Sequence, residues 1–462
     1  MALIKSISGI RGTIGGYAGD NLTPQDIVDS AAGFGTMLLE KYQSPKVVIG
    51  RDARISGELV NRLVCSTLQM MGIDIIDLGL STTPTVEVAV VEEKADAGII
   101  LTASHNPKEW NALKLLNKNG EFISAQDGHA MLEIVNNGAI RFANVDSLGT
   151  YRQDNSYIQK HIDKVLALPL VKVTHIRSKQ FKVVVDCINS TGALAIPALL
   201  KALGCEVILL NEEMTGNFAH NPEPLPSHLR ELSSAVVSNR AHLGISVDPD
   251  VDRLAFVCED GEMFGEEYTL VAVADYVLKH KLGNTVSNLS STRALRDVTE
   301  AHGGIYHASA VGEVNVVTKM KQVNAVIGGE GNGGIIYPAA HYGRDAIVGI
   351  ALFLSHLADF GKPISFLRST YPSYTISKNK IQLTPEINID LLLNQLKKKY
   401  KHYPINTIDG LKIEIEKDWI HLRKSNTEPI IRIYTESNSK VVADNLARKI
   451  QQDIQEILKG NS

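Results

Sequence analysis

Two short segments, far apart in the chain, hold the residues best suited to chemistry. Thr102-Ala103-Ser104-His105-Asn106-Pro107 offers one hydroxyl, Ser104, on a loop stiffened by Asn-Pro. Asp248-Pro249-Asp250-Val251-Asp252-Arg253 offers three carboxylates at alternate positions. Alternate side chains of an extended segment share one side, and a bend at Pro249 lets three hard oxygen donors converge on one divalent cation. A serine that can carry a phosphoryl group, set beside a site that can hold Mg2+, makes a phosphoryl-transfer apparatus.

Each segment also has a plainer reading. Ser, Asn and Pro are ordinary turn formers, and a lone His105 is more often structural than catalytic. Asp248, Asp250 and Asp252, with Glu259 at the twelfth position, superficially match a calcium loop. Two features count against calcium: Arg253 stands where the tight turn needs glycine, and both flanks read as strands. A cationic side chain in a cation loop makes sense when an anion joins it, as a phosphate bridging Mg2+ and Arg253 would.

Two further segments fit that theme. Arg423-Lys424-Ser425-Asn426-Thr427-Glu428-Pro429, followed by Arg432, supplies two guanidinium groups, two hydroxyls and a turn of backbone amides. That set can cradle a phosphate dianion, although alone it reads as an exposed hairpin loop. Gly328-Gly329-Glu330-Gly331-Asn332-Gly333-Gly334 lacks the lysine of a nucleotide-binding loop. An acid between glycines suits sugar hydroxyls better than phosphate.

The elements that must position these loops are visible as apolar runs. Ala97-Gly98-Ile99-Ile100-Leu101 leads into the Ser104 loop, Leu243-Gly244-Ile245-Ser246-Val247 into the Asp248 loop, and Ala325-Val326-Ile327 into the glycine-rich one. Lys46-Val47-Val48-Ile49, Lys182-Val183-Val184-Val185 and the weaker Thr285-Val286-Ser287-Asn288-Leu289 mark the start of each unit. Such runs alternating with helical patterns predict α/β units with buried strands, whose functional loops sit at strand carboxyl ends. After Tyr371-Pro372 the pattern changes to a strand over 374–383, a helix over 388–400 and strands at 411–415, 419–423 and 430–435. A last helix carries Val442, Leu446, Ile450, Ile454 and Leu458 on one face and stops at Gly460. This predicts a smaller α+β domain.

A chain of 462 residues asks for three or four such units. Its formal net charge of -4 lacks the basic excess of a nucleic-acid binder. Cys65, Cys187, Cys205 and Cys258 have no metal-ligand spacing and read as buried, reduced thiols of a reducing compartment. Lys5 and Arg11 near the start stand without the apolar stretch of a signal peptide. The longest apolar run, 346–354, is far short of the roughly 20 residues of a membrane span. A cytoplasmic protein is expected.

In this order and spacing the four loops resemble those of the alpha-D-phosphohexomutase family, over essentially the whole chain: phosphoserine loop, metal loop, sugar loop and phosphate loop. Ser8-Gly9-Ile10-Arg11-Gly12 and Gly50-Arg51-Asp52-Ala53-Arg54 match as well. The resemblance implies three related mixed α/β domains and a fourth α+β domain, like the TATA-binding protein, around a central cleft. The expected divisions are 1–150, 151–260, 261–370 and 371–462. By the same resemblance Ser104 is the phosphorylated serine, completing a Mg2+ site made by Asp248, Asp250 and Asp252. Arg253 would steady the transferred phosphoryl group, with Arg11 and Lys114 near the transferred proton and phosphoryl group. His105 is a second acid–base candidate; Lys114 is preferred, a role that requires desolvation to lower its pKa. Glu330 and Asn332 would read sugar hydroxyls, and Arg423, Ser425, Asn426, Thr427 and Arg432 would hold the phosphate not being transferred. Two positions depart from the family pattern. Asn426 replaces a usual glycine, and Asn332-Gly333-Gly334 replaces the Ser-Gly-His of many bacterial members, resembling archaeal-type phosphoglucosamine mutases and phosphomannomutases.

The expectation is a mutase of hexose 1-phosphates and 6-phosphates that works through a hexose 1,6-bisphosphate, which also serves as activator. Glucosamine phosphate is the expected substrate, with phosphomannomutase or phosphoglucomutase activity as the alternative. Partners would be small sugar phosphates, without nucleic acid or membrane, in a monomer or homodimer. Two rivals come from other classes: a phosphatase with an aspartate nucleophile in the Asp248 loop, and a non-catalytic sugar-phosphate-binding protein.

Overall fold

The computed structural model describes residues 3–6, 9–382, 388–424 and 430–460. Three of its four sheets repeat one arrangement. In the first, Trp110–Asn117, Ala97–Leu101, Lys46–Arg51 and Asp74–Leu80 lie side by side, the first pair antiparallel and the others parallel. The second repeats this with Leu254–Cys258, Leu243–Val247, Lys182–Asp186 and Glu206–Leu210. The third repeats it with Gly334–Ile336, Ala325–Glu330, Asn284–Asn288 and Tyr306–Ser309. In every case the motif loop is the connection between the two antiparallel strands. The degenerate pattern in the sequence is therefore a repeated topology.

Every residue of Ala97–Leu101 and Leu243–Val247 is buried, which is why these strands read as continuous apolar runs. Ala325–Glu330 runs three residues further than its apolar part, so Glu330 ends a strand rather than sitting in a loop. Gly328 and Gly329 pair with Ile336 and Ile335, but glycines give no side-chain signal of a strand. The first sheet is wider: Gly9–Thr13 pairs with Trp110–Asn117, and Tyr151–Gln153 pairs in parallel with Asp74–Leu80. The apolar run at 346–354 lies in the helix Ala346–Phe360, whose residues pack into one core shared by the second and third units. Phe353 stacks on Phe256 there, ring centroids 3.8 Å apart.

The fourth sheet runs Thr375–Gln382, Ile430–Ser437, Asp418–Lys424, Leu411–Ile415, Ile405–Asn406, antiparallel throughout. Helices Ile389–Lys399 and Lys440–Gly460 cover one face through Leu396, Ile413, Ile420, Ile433 and Ile450. The expected face of the last helix is corrected at its start: Val442 is 39% exposed, and Ala443, Ala447, Ile450 and Ile454 are the buried set. A strict four-residue repeat drifts about 40° per step on a helix of 3.6 residues per turn, so its first member rotates out of contact. The other sheet face is polar and docks on the third unit. Arg296 grips Glu414 with two bonds of 2.8 and 2.7 Å, Lys412 Nζ donates to the Leu289 carbonyl at 2.8 Å, and the Arg293 amide donates to Glu436 at 2.8 Å.

All four cysteines are free; Cys65, Cys187 and Cys258 are buried and Cys205 is partly buried. Burial pushes the Cys187, Cys205 and Cys258 thiols up to about 12. Among the described residues no helix is long and apolar enough to cross a membrane.

Candidate active site

Ser104 sits on the connection after Ala97–Leu101 in left-handed backbone, φ 50°. Its amide donates to Thr102 Oγ1 at 2.9 Å, and Thr102 Oγ1 donates to Asp52 at 2.6 Å. The rigidity expected from Asn-Pro comes mainly from elsewhere. Arg54, 1% exposed, donates to the carbonyls of Ser104, Asn106, Pro107 and Trp110 at 2.5, 2.7, 2.7 and 2.9 Å. Its Nε meets Asp52 at 3.1 Å. The Ser104 hydroxyl donates to Asp248 Oδ2 at 2.6 Å and lies 3.4 Å from His105 Nδ1. Burial, then the guanidinium groups of Arg253 and Arg344, push His105 well below its usual range, so the imidazole is neutral.

The acidic loop is fully buried at Asp248, Asp250 and Asp252. Its tight turn is made by Val251 at φ 63°, rather than by Pro249 as the sequence suggested. A β-branched residue in left-handed backbone is strained and persists only where its surroundings impose it. One oxygen from each aspartate lies within 4.8 Å of the others. Asp248 Oδ1 accepts the amides of Asp252 and Arg253 at 3.1 and 3.0 Å. Asp250 Oδ2 accepts from Thr83 Oγ1 at 2.5 Å and Lys114 Nζ at 2.7 Å. Asp250 Oδ1 and Asp252 Oδ1 are buried with no hydrogen-bond partner among the described residues. Burial, then Asp252 and Asp250, push Asp248 well above the carboxylate range, whereas at Asp250 burial is outweighed by Lys114 and Thr83, which hold the carboxyl below it. Hard oxygens without partners, in a buried anionic pocket, suit Mg2+. The calcium reading fails on Glu259, whose carboxylate is taken by the amide and hydroxyl of Ser365.

Lys114 carries a finding against expectation. Burial alone would lower its pKa, but Asp250 and Asp252 outweigh it and the pKa is raised. It is an ammonium here, and accepting a proton would need the opposite shift.

The third loop leans on the second. Leu254 donates its amide to the Gly333 carbonyl at 3.1 Å, and a Cβ on Gly333 (φ 85°) would stand 2.2 Å from the Leu254 carbonyl oxygen. At Gly334 a Cβ would meet Arg344 Cδ at 2.3 Å. The histidine of the Ser-Gly-His pattern has no room because Arg344 fills the space. Arg344 joins Asp252 at 2.6 Å, Glu313 at 2.8 Å and Glu330 at 3.1 Å, tying the metal-type loop to the sugar-type loop. Glu330 also accepts from Asn288 at 2.8 Å and from the Gly312 amide at 3.2 Å. Asn332 Oδ1 accepts the Gly334 amide at 3.2 Å, so it shapes the loop.

A line of cations leads away from the aspartates. Lys114 pairs with Gly9 and Ala112 with Arg11 across neighbouring strands, so Lys114 and Arg11 share a sheet face as diagonal neighbours. Burial, then Arg432, lowers the Arg11 pKa, which sets Arg11 within electrostatic reach of the fourth sheet. There Arg432 stands directly opposite both Arg423 and Lys380. Like charges facing across strands are destabilising unless an anion joins them. Asp409 meets Arg423 at 3.5 Å.

Family models for phosphoglucomutase/phosphomannomutase match alpha/beta/alpha domain I at residues 4–141, domain II at 159–261, domain III at 265–374 and the C-terminal domain at 385–452. The chain is similar to a phosphoglucomutase/phosphomannomutase of Thermococcus kodakarensis, 34% identical over 97% of this chain and 99% of that one. It is similar to a probable phosphoglucosamine mutase of Methanopyrus kandleri, 31% identical over 98% of this chain and 97% of that one. Among solved structures it matches a phosphoglucomutase/phosphomannomutase family protein from Burkholderia thailandensis, with TM-score 0.85, 25% identity, and 99% and 97% of the two chains covered. The chain belongs to the phosphoglucomutase/phosphomannomutase family. It is a phosphohexomutase, an intramolecular phosphotransferase of the isomerase class.

Within this phosphohexomutase, Ser104, His105, Lys114, Asp248, Asp250, Asp252 and Arg253 form one group, with Glu330 joined to it through Arg344. Arg11, Arg423 and Arg432 form a second. Arg253 Nη1 reaches Glu223 at 3.3 Å. Ser8, Ser425, Asn426 and Thr427 lie outside the described residues. Sequence motifs missed Arg54, Thr83 and Arg344. Arg54 had a signal in the Gly50–Arg54 match, and Arg344 had one in Gly334, a small residue where a larger one is common.

Proposed function

We propose that this phosphohexomutase interconverts the 1-phosphate and 6-phosphate of an aminohexose, glucosamine, with phosphorylated Ser104 as the carrier. One observation carries the reading: Ser104 Oγ donates to Asp248 beside two buried oxygens, Asp250 Oδ1 and Asp252 Oδ1, that have no hydrogen-bond partner among the described residues. Asp248, Asp250, Asp252 and an oxygen of phosphoserine 104 would hold Mg2+, which when bound offsets the charge that develops on the phosphoryl group. The free hydroxyl oxygen of the sugar attacks phosphorus, the bond to Ser104 Oγ breaks, and the hydroxyl proton is relayed by His105, whose Nδ1 lies 3.4 Å from Ser104 Oγ, to that departing serine oxygen. The resulting 1,6-bisphosphate turns end for end. Ser104 Oγ then attacks the other phosphorus, that phosphate's bond to the sugar oxygen breaks, and the proton returns to the sugar oxygen.

Two anion sites are needed, one for transfer and one for holding, and the cations from Lys114 through Arg11 to Arg432 and Arg423 line the way between them. Arg253 steadies the transferred group. Glu330 and Asn332 orient the sugar, and Ser425, Asn426 and Thr427 complete the holding site. Free hexose 1,6-bisphosphate acts as activator by restoring the phosphoserine. The chain is taken as four domains, 1–150, 151–260, 261–370 and 371–462, with the edge strand Tyr151–Gln153 pairing into the first sheet across the first division, and acts as a monomer or homodimer.

Intact mass before and after phosphatase treatment tests the carrier: a phosphoryl-sized adduct maps to Ser104, and Ser104→Ala lowers turnover below about a tenth of wild type while leaving the fold intact. Steady release of inorganic phosphate without the adduct would establish the phosphatase instead. Binding without turnover would establish the sensor. The sugar rests on the relatives named phosphoglucosamine mutase and is tested by kcat/KM for glucosamine, glucose and mannose phosphates. A mannose phosphate value about tenfold above that of glucosamine phosphate, roughly 1.4 kcal/mol, reverses the assignment.

A further inference from the structure

A second cluster of metal-ligating side chains lies where the first three units meet, behind the aspartate triad. His161 comes from the helix Tyr157–Leu166, and His341 and Asp345 from the turn before Ala346–Phe360. Donor atoms of these three lie within 4.8 Å of one another. His161 Nε2 and His341 Nε2 are each 3.0 Å from Asp345 Oδ2. The two imidazoles stand edge to face, with ring centroids 6.0 Å apart and planes at 77°. His161 and Asp345 are 1% exposed at their side chains, and His341 is 10% exposed, which leaves an approach from solvent.

On two of the three side chains, His161 and Asp345, the atom facing away from this meeting point is already held by a hydrogen bond, and on His341 it faces a carboxylate. Thr85 Oγ1 lies 3.0 Å from His161 Nδ1. Glu87 Oε2 lies 3.3 Å from His341 Nδ1. Asp345 Oδ1 accepts the amides of Ile347 and Val348 at 2.8 and 3.2 Å. Metal-bound histidines are ordinarily oriented in this way, their far nitrogen on a carboxylate or hydroxyl. The near side differs. His341 Nε2 hydrogen-bonds Asp345 Oδ2 at 3.0 Å, but His161 Nε2 is buried and equally close to the same oxygen without hydrogen-bond alignment, and His341 Nδ1 and both Glu87 oxygens are buried without a hydrogen-bond partner among the described residues. A hydrogen bond needs its donor aimed along the line to the acceptor, whereas two ligands of one ion point off that line, toward the ion.

We propose that His161 Nε2, His341 Nε2 and Asp345 Oδ2 bind a divalent transition ion of the zinc class, a structural site separate from the Mg2+ triad. Imidazole nitrogen is softer than the all-oxygen set of Asp248, Asp250 and Asp252, so the two sites select different ions. Three side chains from two units, which leave one position of a four-coordinate ion open on the exposed side of His341, are backed by Thr85 and Glu87 of the helix Thr83–Glu92 in the remaining unit, so the site joins all three units. The same segments support the triad: Thr83 holds Asp250, and Arg344, next to Asp345, holds Asp252.

A proton is the competing glue, with His341 as an imidazolium between Glu87 and Asp345. Cobalt separates the two. Protein stripped by dialysis against a strong chelator is titrated with Co2+ in excess Mg2+, which keeps the triad filled. The expected result is one equivalent per chain giving the visible absorption of a nitrogen-ligated, low-coordinate cobalt site. It persists in Asp248→Asn, disappears in His161→Gln, and is displaced by Zn2+ with a rise in Tm. Glu87→Gln keeps all three ligands and weakens Co2+ binding about 10- to 100-fold, a second readout should His161→Gln fail to fold. Absence of such a band in wild type overturns the proposal and leaves the proton. A band that is lost in Asp248→Asn overturns it equally.

Discussion

Arg54 bonds four carbonyls of the Ser104 loop and Asp52 at once, through a side chain that is almost wholly buried. Its planar fork can span those acceptors, whereas a lysine ammonium is a point donor and cannot. Arg54→Lys therefore leaves buried carbonyls unpaired and is expected to destabilise the protein by about 3–5 kcal/mol in chemical denaturation, the range for breaking a buried ionic contact. It is also expected to lower phosphoserine stoichiometry although Ser104 itself is intact. A variant within about 1 kcal/mol of wild type and fully phosphorylated would remove the clamp from the account. Ser104 and the three aspartates were legible because each lies within a contiguous motif whose residue types already state their chemistry. Arg344 was not, because its partners Asp252, Glu313 and Glu330 come from separate stretches of chain, and no local spacing records that they meet.

At the scale of elements, strands were easier to read than the turns between them. Fully buried parallel strands advertise themselves as apolar runs, so Ala97–Leu101 and Leu243–Val247 stood out. Backbone dihedrals leave no such trace: nothing in the residue type of Val251 announces φ 63°. The polar seam between the third and fourth units was also invisible, since its buried charges look like surface residues in sequence. Glu267 shows what that seam does. Its carboxylate accepts the Thr292 amide at 2.9 Å and crowds Gly331, and burial pushes its pKa from 4.5 up to about 8. The native state thus holds more protons than the unfolded chain between those values, so this group's contribution to stability is lost as pH rises from 4.5 to 8. Denaturant midpoints across that window are expected to fall less steeply for Glu267→Gln than for wild type. Parallel profiles would mean that the carboxyl is ionised in the folded protein.

Across the whole molecule, charge is arranged in two poles. The aspartate triad gathers negative charge, and the guanidinium groups of Arg11, Arg423 and Arg432 gather positive charge. Removing one pole should spare the other. Arg432→Ala is expected to weaken sugar phosphate binding by about 1.5–3 kcal/mol, the range for hydrogen bonds to charged groups, while Ser104 still accepts a phosphoryl group from a small donor. Loss of phosphoserine with unchanged substrate affinity would put the holding site at the wrong end. Brief EDTA treatment is expected to abolish turnover and Mg2+ to restore it, with Asp250→Asn and Asp252→Asn shifting the Mg2+ requirement upward; full activity in chelated protein would dismiss the triad. The cysteines have a use of another kind. Cys65 lies in the first unit, Cys187 and Cys258 in the second, all buried with thiols too weakly acidic to react in place. Alkylating reagents can reach them only through unfolding events, so the rate at which each thiol is capped is a clock for the opening of its own unit, built into the native chain without any label.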